Sequence, residues 1–214
     1  MIRRLETIRK TSRRQAIGPE DSGRLMTLED FERARGQPGH VYELIDGVLI
    51  VSPNPLPPHD HWIQVIAEEL TYYASRHPGR LNYVSGGSEV IVTGRPGPTR
   101  PQPDIAAFRD YPDPFPARWD DVCPIVVVEV ISPRREKKDT VRNRHLYWMA
   151  GGIAEYWIID PRQDERRPTL IALVRRPGAT GWDETVVPFG KSYRSTVLPG
   201  FTLNLSKPRR KRAK

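Results

Sequence analysis

The sequence predicts a mixed α/β fold, in which a mixed central β-sheet is flanked by helices. Residues 124–133 read Pro-Ile-Val-Val-Val-Glu-Val-Ile-Ser-Pro, and such a β-branched run is typical of a strand that protein covers on both faces. Apolar residues recur at helical spacing along residues 59–76, which predicts a long helix. Asp46-Gly47 separates two short apolar stretches, which is a strong signal for a β-hairpin. Together these patterns indicate a sheet with helices packed against it.

The remaining elements are predicted from local patterns in chain order. A first helix begins at Thr27, because Thr27-Leu28-Glu29-Asp30 fits a capping box in which the threonine oxygen accepts a backbone N–H. A third helix is expected over residues 136–150, with Val141, His145 and Trp148 on its core face. Strands are expected within residues 41–45, 48–52, 82–93, 103–108, 125–131, 155–160, 170–174 and 184–188.

Size and composition describe a chain with one substantial core. The protein has 214 residues, 37% of them apolar, and a mean hydropathy of −0.58. No apolar run approaches the roughly 20 residues that a membrane span requires, so no membrane association is expected. The single cysteine, Cys123, cannot form an internal disulfide and is expected to be inert. A reducing, cytoplasmic setting fits this cysteine usage best.

Positive charge is concentrated at the two ends of the chain. Of the formal net charge of +8, residues 1–24 carry +4 and residues 207–214 carry +6, which leaves −2 for the body. We therefore expect a disordered basic extension (1–25), one folded domain (26–205) and a basic tail (206–214). The two ends could bind polyanions without sequence preference, or could simply be solvated.

Two acidic residues on predicted strands are candidates for a metal site. Glu129 interrupts the β-branched run, and a buried carboxylate is costly unless a positive group pairs with it. Asp104 stands near the start of another short apolar strand; by itself Pro103-Asp104 is more typical of a turn cap. Taken with Glu129, however, Asp104 predicts a divalent-cation site, because Mg²⁺ binds one or two carboxylates together with water and substrate phosphate.

Two further polar residues have less decided roles. Strand alternation puts Glu43 among apolar neighbours, and on this observation alone we expect an edge-strand glutamate that reaches solvent. The long helix opens with His59-Asp60-His61, but residues so close together do not share a helix face. We therefore expect one histidine directed into a nearby cleft rather than a metal site made by all three.

The ordered set of motifs resembles the Uma2 family of restriction-endonuclease-like proteins, in the PD-(D/E)XK nuclease superfamily. The likeness covers residues 26–205 and leaves both basic ends outside it. The matching motifs are Met26-Thr27-Leu28-Glu29-Asp30-Phe31, Tyr42-Glu43-Leu44-Ile45-Asp46-Gly47, Pro103-Asp104, the Glu129 strand, Glu155-Tyr156-Trp157-Ile158-Ile159-Asp160-Pro161 and Leu198-Pro199-Gly200-Phe201-Thr202-Leu203. One corollary is the hypothesis that Met26 is the native first residue.

The resemblance implies a restriction-endonuclease-like core and metal-dependent cutting of DNA with Mg²⁺ or Mn²⁺, and homodimers are common among such nucleases. It implies that Asp104 and Glu129 are the metal ligands, with a strand carbonyl near Val130 as a third. By the same resemblance Glu43 is an additional acid, and His61 is the histidine that contacts phosphate or orients water.

The chain departs from the family pattern at the lysine. The superfamily signature places a lysine two residues after the glutamate, where this chain has Ile131. The family tends to carry its lysine on the following helix, at the position of Asn143 here, so Asn143 is a candidate catalytic position. Lys138 or Arg144 could supply the missing charge and contact nucleic acid, although arginine stays protonated and cannot act as a base.

Two functions from different classes therefore stay open. One is a metal-dependent endonuclease that hydrolyses phosphodiester bonds in DNA. The other is a catalytically impaired relative that binds nucleic acid or a partner without cutting, which the asparagine at position 143 favours. A non-nuclease hydrolase that reuses the two acids has no positive support. Metal binding and a Glu129→Ala variant distinguish the first two.

Overall fold

The fold is built on one six-stranded mixed sheet. A computed structural model describes residues 15–132 and 136–208; the expectations for the outer parts of the basic ends, residues 1–14 and 209–214, lie outside the described residues. The strands of the sheet are β5 (Tyr83–Ser85), β6 (Ile105–Phe108), β7 (Val126–Val130), β8 (Glu155–Asp160), β9 (Thr169–Val174) and β10 (Asp183–Val187). Their spatial order is β10-β9-β8-β7-β6-β5. This arrangement confirms the predicted mixed sheet.

Helices and short strands surround the sheet. The helices are α1 (Leu28–Arg33), α2 (Pro57–Arg76) and α3 (Arg144–Met149), with a π-helical segment (Lys138–Asn143) leading into α3 and 3₁₀ turns at Pro19–Asp21 and Trp119–Asp121. The remaining strands are β1 (Ala16–Ile17), β2 (Arg35–Gly36), β3 (His40–Ile45), β4 (Val48–Pro53), β11 (Tyr193–Arg194) and β12 (Thr202–Leu203). Within residues 15–132 and 136–208, no helix is both long and apolar enough to cross a membrane.

The strands β7 and β8 pair in parallel, whereas the other neighbours in the sheet pair antiparallel. A parallel pair needs a crossover connection, and the chain supplies one in the π-helical segment and α3. The crossover places these helical residues over one face of the sheet, next to the carboxyl end of β7.

Each face of the sheet buries its own apolar cluster. On one face α2 packs Trp62, Ile66 and Leu70 against alternate β7 residues such as Val128. On the other face Leu146 and Tyr147 of α3 pack against Val127 and Ile158. Because side chains alternate along a strand, the β-branched run of β7 is covered on both faces, as the sequence predicts.

The hairpin forms as predicted. The strands β3 and β4 pair around Asp46-Gly47, whose φ angles of 53° and 77° belong to the left-handed region favoured in tight hairpin turns. The first helix also begins as expected, since the Thr27 Oγ1 accepts the Asp30 N–H at 3.1 Å. These local signals carry enough information by themselves to be interpreted correctly.

The expectation of a disordered extension is wrong for residues 15–25. Ile17 is 2% exposed and packs with Met26 and Leu49 in a third apolar cluster. Gly23 donates to the Leu49 carbonyl at 2.8 Å, and Leu49 donates to the Arg24 carbonyl at 2.8 Å. The short stretch around Ile17 lacks a repeating pattern, so its packing on the hairpin is set by tertiary contacts rather than by local propensity.

The predicted core face of the third helix is also wrong. Val141 is 64% exposed, and His145 is exposed as well. The residues that face the sheet include a polar stripe of Asp139, Asn143 and Tyr147, each no more than 3% exposed. A polar stripe can be buried here because the opposite strand carries a polar partner, Glu129.

Only part of residues 82–93 forms a strand. After β5 the chain runs as an irregular ladder, in which Val90 donates to the Pro101 carbonyl at 2.9 Å and Val92 to the Thr99 carbonyl at 3.0 Å. The returning arm lies beside β3, where Arg100 donates to the Leu44 carbonyl. This arm covers β3, and with it Glu43.

Candidate active site

The candidate site is organised around Glu129, in the middle of the crossover face. Its side chain is 1% exposed. One carboxylate oxygen, Oε1, accepts hydrogen bonds from the Asn143 amide nitrogen and from the Tyr147 hydroxyl, both at 2.7 Å. The other oxygen, Oε2, lies 3.9 Å from the Lys138 ammonium. The π-helical segment and α3 therefore surround Glu129 with two neutral donors and one cation.

Asp104 lies beside this carboxylate at the entry to β6. Its Oδ2 accepts the backbone N–H of Val130 at 2.7 Å and lies 3.2 Å from the His59 Nε2. The first contact holds Asp104 against the end of β7, and the second ties it to the first turn of α2. Burial lowers the pKa of His59, but the hydrogen bond and charge of Asp104 more than offset this and raise it above its ordinary value.

Glu43 is the third acid, and it is fully buried. Its two oxygens accept from the Arg142 guanidinium at 3.0 and 2.9 Å, and Oε1 also accepts the Gln102 N–H at 3.1 Å. The Lys138 ammonium is 3.6 Å away. The expectation of a solvent-exposed glutamate is wrong, because the arm around Gln102 covers β3, which the alternation within the strand cannot reveal.

Burial and mutual repulsion shape the charges of the cluster. Burial raises the pKa of Glu129 well above its ordinary range, against the opposing charge of Lys138. Burial likewise raises the pKa of Asp139 to about 7, again opposed by Lys138. For Lys138 itself, burial lowers the pKa, but the charges of Glu129 and Glu43 raise it by more than burial lowers it. The ammonium therefore keeps its proton.

The structure brings most of the sequence-predicted residues into one cluster and leaves two outside it. The residues brought together are Glu43, Asp104, Glu129, Lys138 and Asn143. His61 is exposed and contacts Trp62 edge to face. Arg144 pairs with Glu184 at 2.6 Å, and both side chains are more than a third exposed.

Four residues of the cluster were not predicted as site residues. They are His59, Asp139, Arg142 and Tyr147. The spacing of Asp139, Asn143 and Tyr147 at i, i+4 and i+8 was a usable signal, since it marks a polar stripe on one helix face. Nothing in the local sequence distinguishes His59 from His61, which are two residues apart on the same first turn.

The donor chemistry of the site fits a hard divalent cation. Among residues 15–132 and 136–208, no group of three or more His, Cys, Asp and Glu side chains forms a ready metal centre. Magnesium does not require one, because it usually keeps several waters and binds one or two carboxylates together with substrate phosphate. Asp104 and Glu129 would hold the ion.

The mixed sheet, covered by α2 on one face and by α3 on the other, has a restriction-endonuclease-like fold. A solved structure with this fold is similar to the chain. Its description is "Crystal structure of a putative nuclease belonging to DUF820 from Anabaena variabilis", and it matches with a TM-score of 0.60 and 18% sequence identity. The match covers 84% of this chain and 95% of that one. At this identity the likeness shows the fold alone.

The family follows from the sequence match. The model of the Uma2 family, described as "Putative restriction endonuclease", matches residues 28–206. The chain therefore belongs to the Uma2 family, which confirms the resemblance seen in its motifs. A search of curated proteins found no significant match.

Proposed function

We propose that this protein is a metal-dependent endonuclease that hydrolyses phosphodiester bonds in DNA. The observation that carries the proposal is the position of Lys138, whose ammonium lies 3.9 Å from Glu129 and 3.6 Å from Glu43. The two positions at which the family resemblance implies a lysine hold Ile131 and Asn143. A lysine nevertheless stands beside the acid pair, so the charge that phosphodiester hydrolysis requires is present.

Phosphodiester hydrolysis requires that charge on the phosphate be neutralised and that a water be deprotonated. When bound by Asp104 and Glu129, Mg²⁺ or Mn²⁺ would supply both effects, since such ions polarise phosphoryl oxygens and lower the pKa of water. The protein's own contribution is to hold the two carboxylates. The Val130 N–H and His59 fix Asp104, while Asn143 and Tyr147 fix Glu129.

Lys138 does not act as the general base in this proposal. Its pKa is raised by the surrounding carboxylates, so at neutral pH it is a fixed positive charge and does not accept a proton. Such a preorganised charge stabilises negative charge that develops on a phosphate in the transition state. We therefore assign Lys138 to electrostatic stabilisation of the phosphate.

Nucleic-acid binding without cutting is the second candidate function. It is favoured by the asparagine at position 143, where the family resemblance implies a lysine. Our proposal takes DNA as the substrate, a homodimer as a unit able to cut both strands, and the cytoplasm as the setting, consistent with the single cysteine.

The test is nicking of supercoiled plasmid by the full chain with Mg²⁺ or Mn²⁺, beside an EDTA control and Glu129→Ala. A matched control is Glu29→Ala, since Glu29 is an exposed glutamate of α1 whose side chain is 68% exposed. Metal-dependent nicking that survives in Glu29→Ala and disappears in Glu129→Ala is the expected result. DNA binding with no cutting in the wild type would instead favour the second function.

A further inference from the structure

Arg142 connects the two halves of the acid cluster. Its Nη2 donates to both oxygens of Glu43, at 3.0 and 2.9 Å. Its Nε donates to the Asn143 Oδ1 at 2.9 Å. A single guanidinium therefore joins the hairpin strand β3 to the side chain that contacts Glu129, and lysine could not reproduce this set of donors.

The contact with Arg142 fixes which way the Asn143 amide points. Because Oδ1 accepts from Arg142, the amide nitrogen is directed to the Glu129 Oε1 at 2.7 Å and towards the Asp139 Oδ1 at 3.5 Å. A flipped amide would place its oxygen against the Glu129 carboxylate and its NH₂ group against a guanidinium N–H. Both contacts would be lost at a site where Asn143 is fully buried.

Glu43 serves this arrangement as an anchor. Both of its oxygens are occupied by Arg142, and one of them also accepts the Gln102 N–H. A fully buried carboxylate whose two oxygens both accept from one arginine nitrogen is restricted in orientation, and it restricts the arginine in turn. The side chain of Glu43 thus acts on Glu129 through two intervening residues.

We infer that Glu43, Arg142 and Asn143 form a positioning relay that sets the orientation of the Glu129 carboxylate. The relay directs Glu129 Oε1 to Asn143 and leaves Oε2 on the side of Lys138. The inference rests on the proposed function, in which Glu129 is a metal ligand. It gives Asn143 a role that lysine could not fill beside a guanidinium, and it makes Glu43 a positioning residue.

Two variants and one control test the relay. Arg142→Gln removes the guanidinium but leaves the buried Glu43 charge with Lys138 as its remaining cation, so it also risks destabilising the fold. The double variant Glu43→Gln/Arg142→Gln removes both charges, avoids an unpaired buried carboxylate and still breaks the contact with Asn143. Arg176→Gln is the matched control, because Arg176 pairs with Asp183 and both side chains are about half exposed.

Three readouts separate positioning from a merely structural role. The first is the side-chain amide resonance of Asn143 in a metal-free ¹⁵N spectrum, assigned by its loss in Asn143→Ser. The second is the affinity for Mn²⁺ alone, measured by electron paramagnetic resonance. The third is the division of plasmid-nicking kinetics between kcat and KM. Residues that orient a metal ligand typically change metal affinity or activity by about 10–100-fold when mutated.

In both relay variants we expect a shifted Asn143 resonance, a Mn²⁺ affinity about 10–100-fold weaker and a similar loss in kcat with KM unchanged. Arg176→Gln should match the wild type. A double variant with wild-type Mn²⁺ affinity and kcat overturns the relay while leaving the nuclease proposal intact. If the wild type binds Mn²⁺ but never cuts, the nuclease proposal fails. In that case the relay is tested by the other two readouts, and an unchanged Asn143 resonance and Mn²⁺ affinity in the variants would overturn it as well. A wild type that binds no Mn²⁺ overturns both.

Discussion

Two buried glutamates lie on neighbouring strands of the same sheet, and their surroundings differ sharply. Glu129 is on β7 and Glu155 is on β8, the parallel pair, and each is no more than 1% exposed. Their partners in the register are Ile158 and Val126 respectively, so they lie near opposite ends of the two strands. Burial is therefore the same for both residues and cannot distinguish them.

Among residues 15–132 and 136–208, the donors to the Glu155 carboxylate are all neutral groups. The donors are the Trp157 Nε1 at 2.8 Å, the Ser195 Oγ at 3.0 Å, the Thr196 N–H at 2.6 Å and Oγ1 at 2.7 Å, and the Val197 N–H at 3.3 Å. Both oxygens are thereby occupied. The result is a satisfied polar group that attaches the segment around residue 196 to the central sheet.

From the described part of the chain, Glu129 accepts two hydrogen bonds, and its neighbours include groups of the same charge. Asn143 and Tyr147 occupy Oε1, while the charges of Asp139, Asp104 and Glu43 act with burial to raise its pKa. Lys138 opposes them. A buried acid whose pKa is strongly raised by burial and by neighbouring acids is a candidate for a functional site, whereas a carboxylate whose oxygens are occupied by neutral donors is typical of a structural role. The comparison shows that the charges and hydrogen-bond donors around a buried acid say more about its role than the extent of its burial does.

The largest expected effect concerns Lys138, the cation beside Glu129. Lys138→Met should lower kcat for plasmid nicking by about 10²–10³-fold, because removing one group that stabilises transition-state charge typically has that cost. The matched control is Lys191→Met, an exposed lysine outside the cluster. Wild-type kcat in Lys138→Met would show that the nearby ammonium is only a counter-ion to the buried acids.

Isosteric substitutions should affect the stability of the two sites differently. In Glu155→Gln, an NH₂ group replaces one carboxylate oxygen, and the N–H and O–H groups that donated to that oxygen lose their acceptor. We expect this change to lower the free energy of unfolding by about 3 kcal/mol. Glu129→Gln keeps an oxygen for Asn143 and Tyr147 and relieves repulsion, so the change should be below about 1 kcal/mol. Urea unfolding of the two variants without metal gives both values, and equal losses would contradict the distinction drawn here.

The remaining expected effect is the stabilisation of the folded state by a cation. At about 100 times its dissociation constant, Mg²⁺ should raise the free energy of unfolding by about 2.7 kcal/mol through linkage alone. The increment should disappear in Asp104→Asn and persist in full in Glu155→Gln, whatever the starting stability of that variant. Thermal unfolding with and without Mg²⁺ measures it, and an increment that survives in Asp104→Asn would place the ion elsewhere.

Much of the fold could be predicted from the sequence, because its signals are local. The Asp46-Gly47 turn, the Thr27 cap and the β-branched run of β7 each encode their own conformation. The predicted core face of the third helix is wrong because the amphipathic pattern assumes that the buried face is apolar. That assumption fails where a helix faces a polar site, as it does for Asn143.

The site was harder to predict than the fold, because it is assembled from distant segments. Asp104 and Glu129 could be paired from their strands, but the burial of Glu43 depends on the arm around Gln102, which is 59 residues further along the chain. His59 rather than His61 reaches Asp104 because two residues on a helical turn point in different directions. Glu155 stands in an otherwise apolar strand, and the local pattern does not reveal that its carboxylate binds the segment around residue 196.

The π-helical segment Lys138–Asn143 has a consequence for how related sequences should be aligned. A π turn bonds residues five apart and so accommodates one residue more than an α turn, which makes it the natural trace of a single insertion. Positions before and after such an insertion are out of phase with a continuous α-helix. An alignment that keeps α-helical spacing through this segment is therefore one residue out of phase on one side of it, and position 143 is compared with the wrong neighbour. The ammonium of Lys138, five residues before Asn143, lies 3.9 Å from the Glu129 carboxylate. For a protein of this family, the charges near the active-site glutamate should therefore be compared in the folded structure, rather than by the residue at a single position of an alignment.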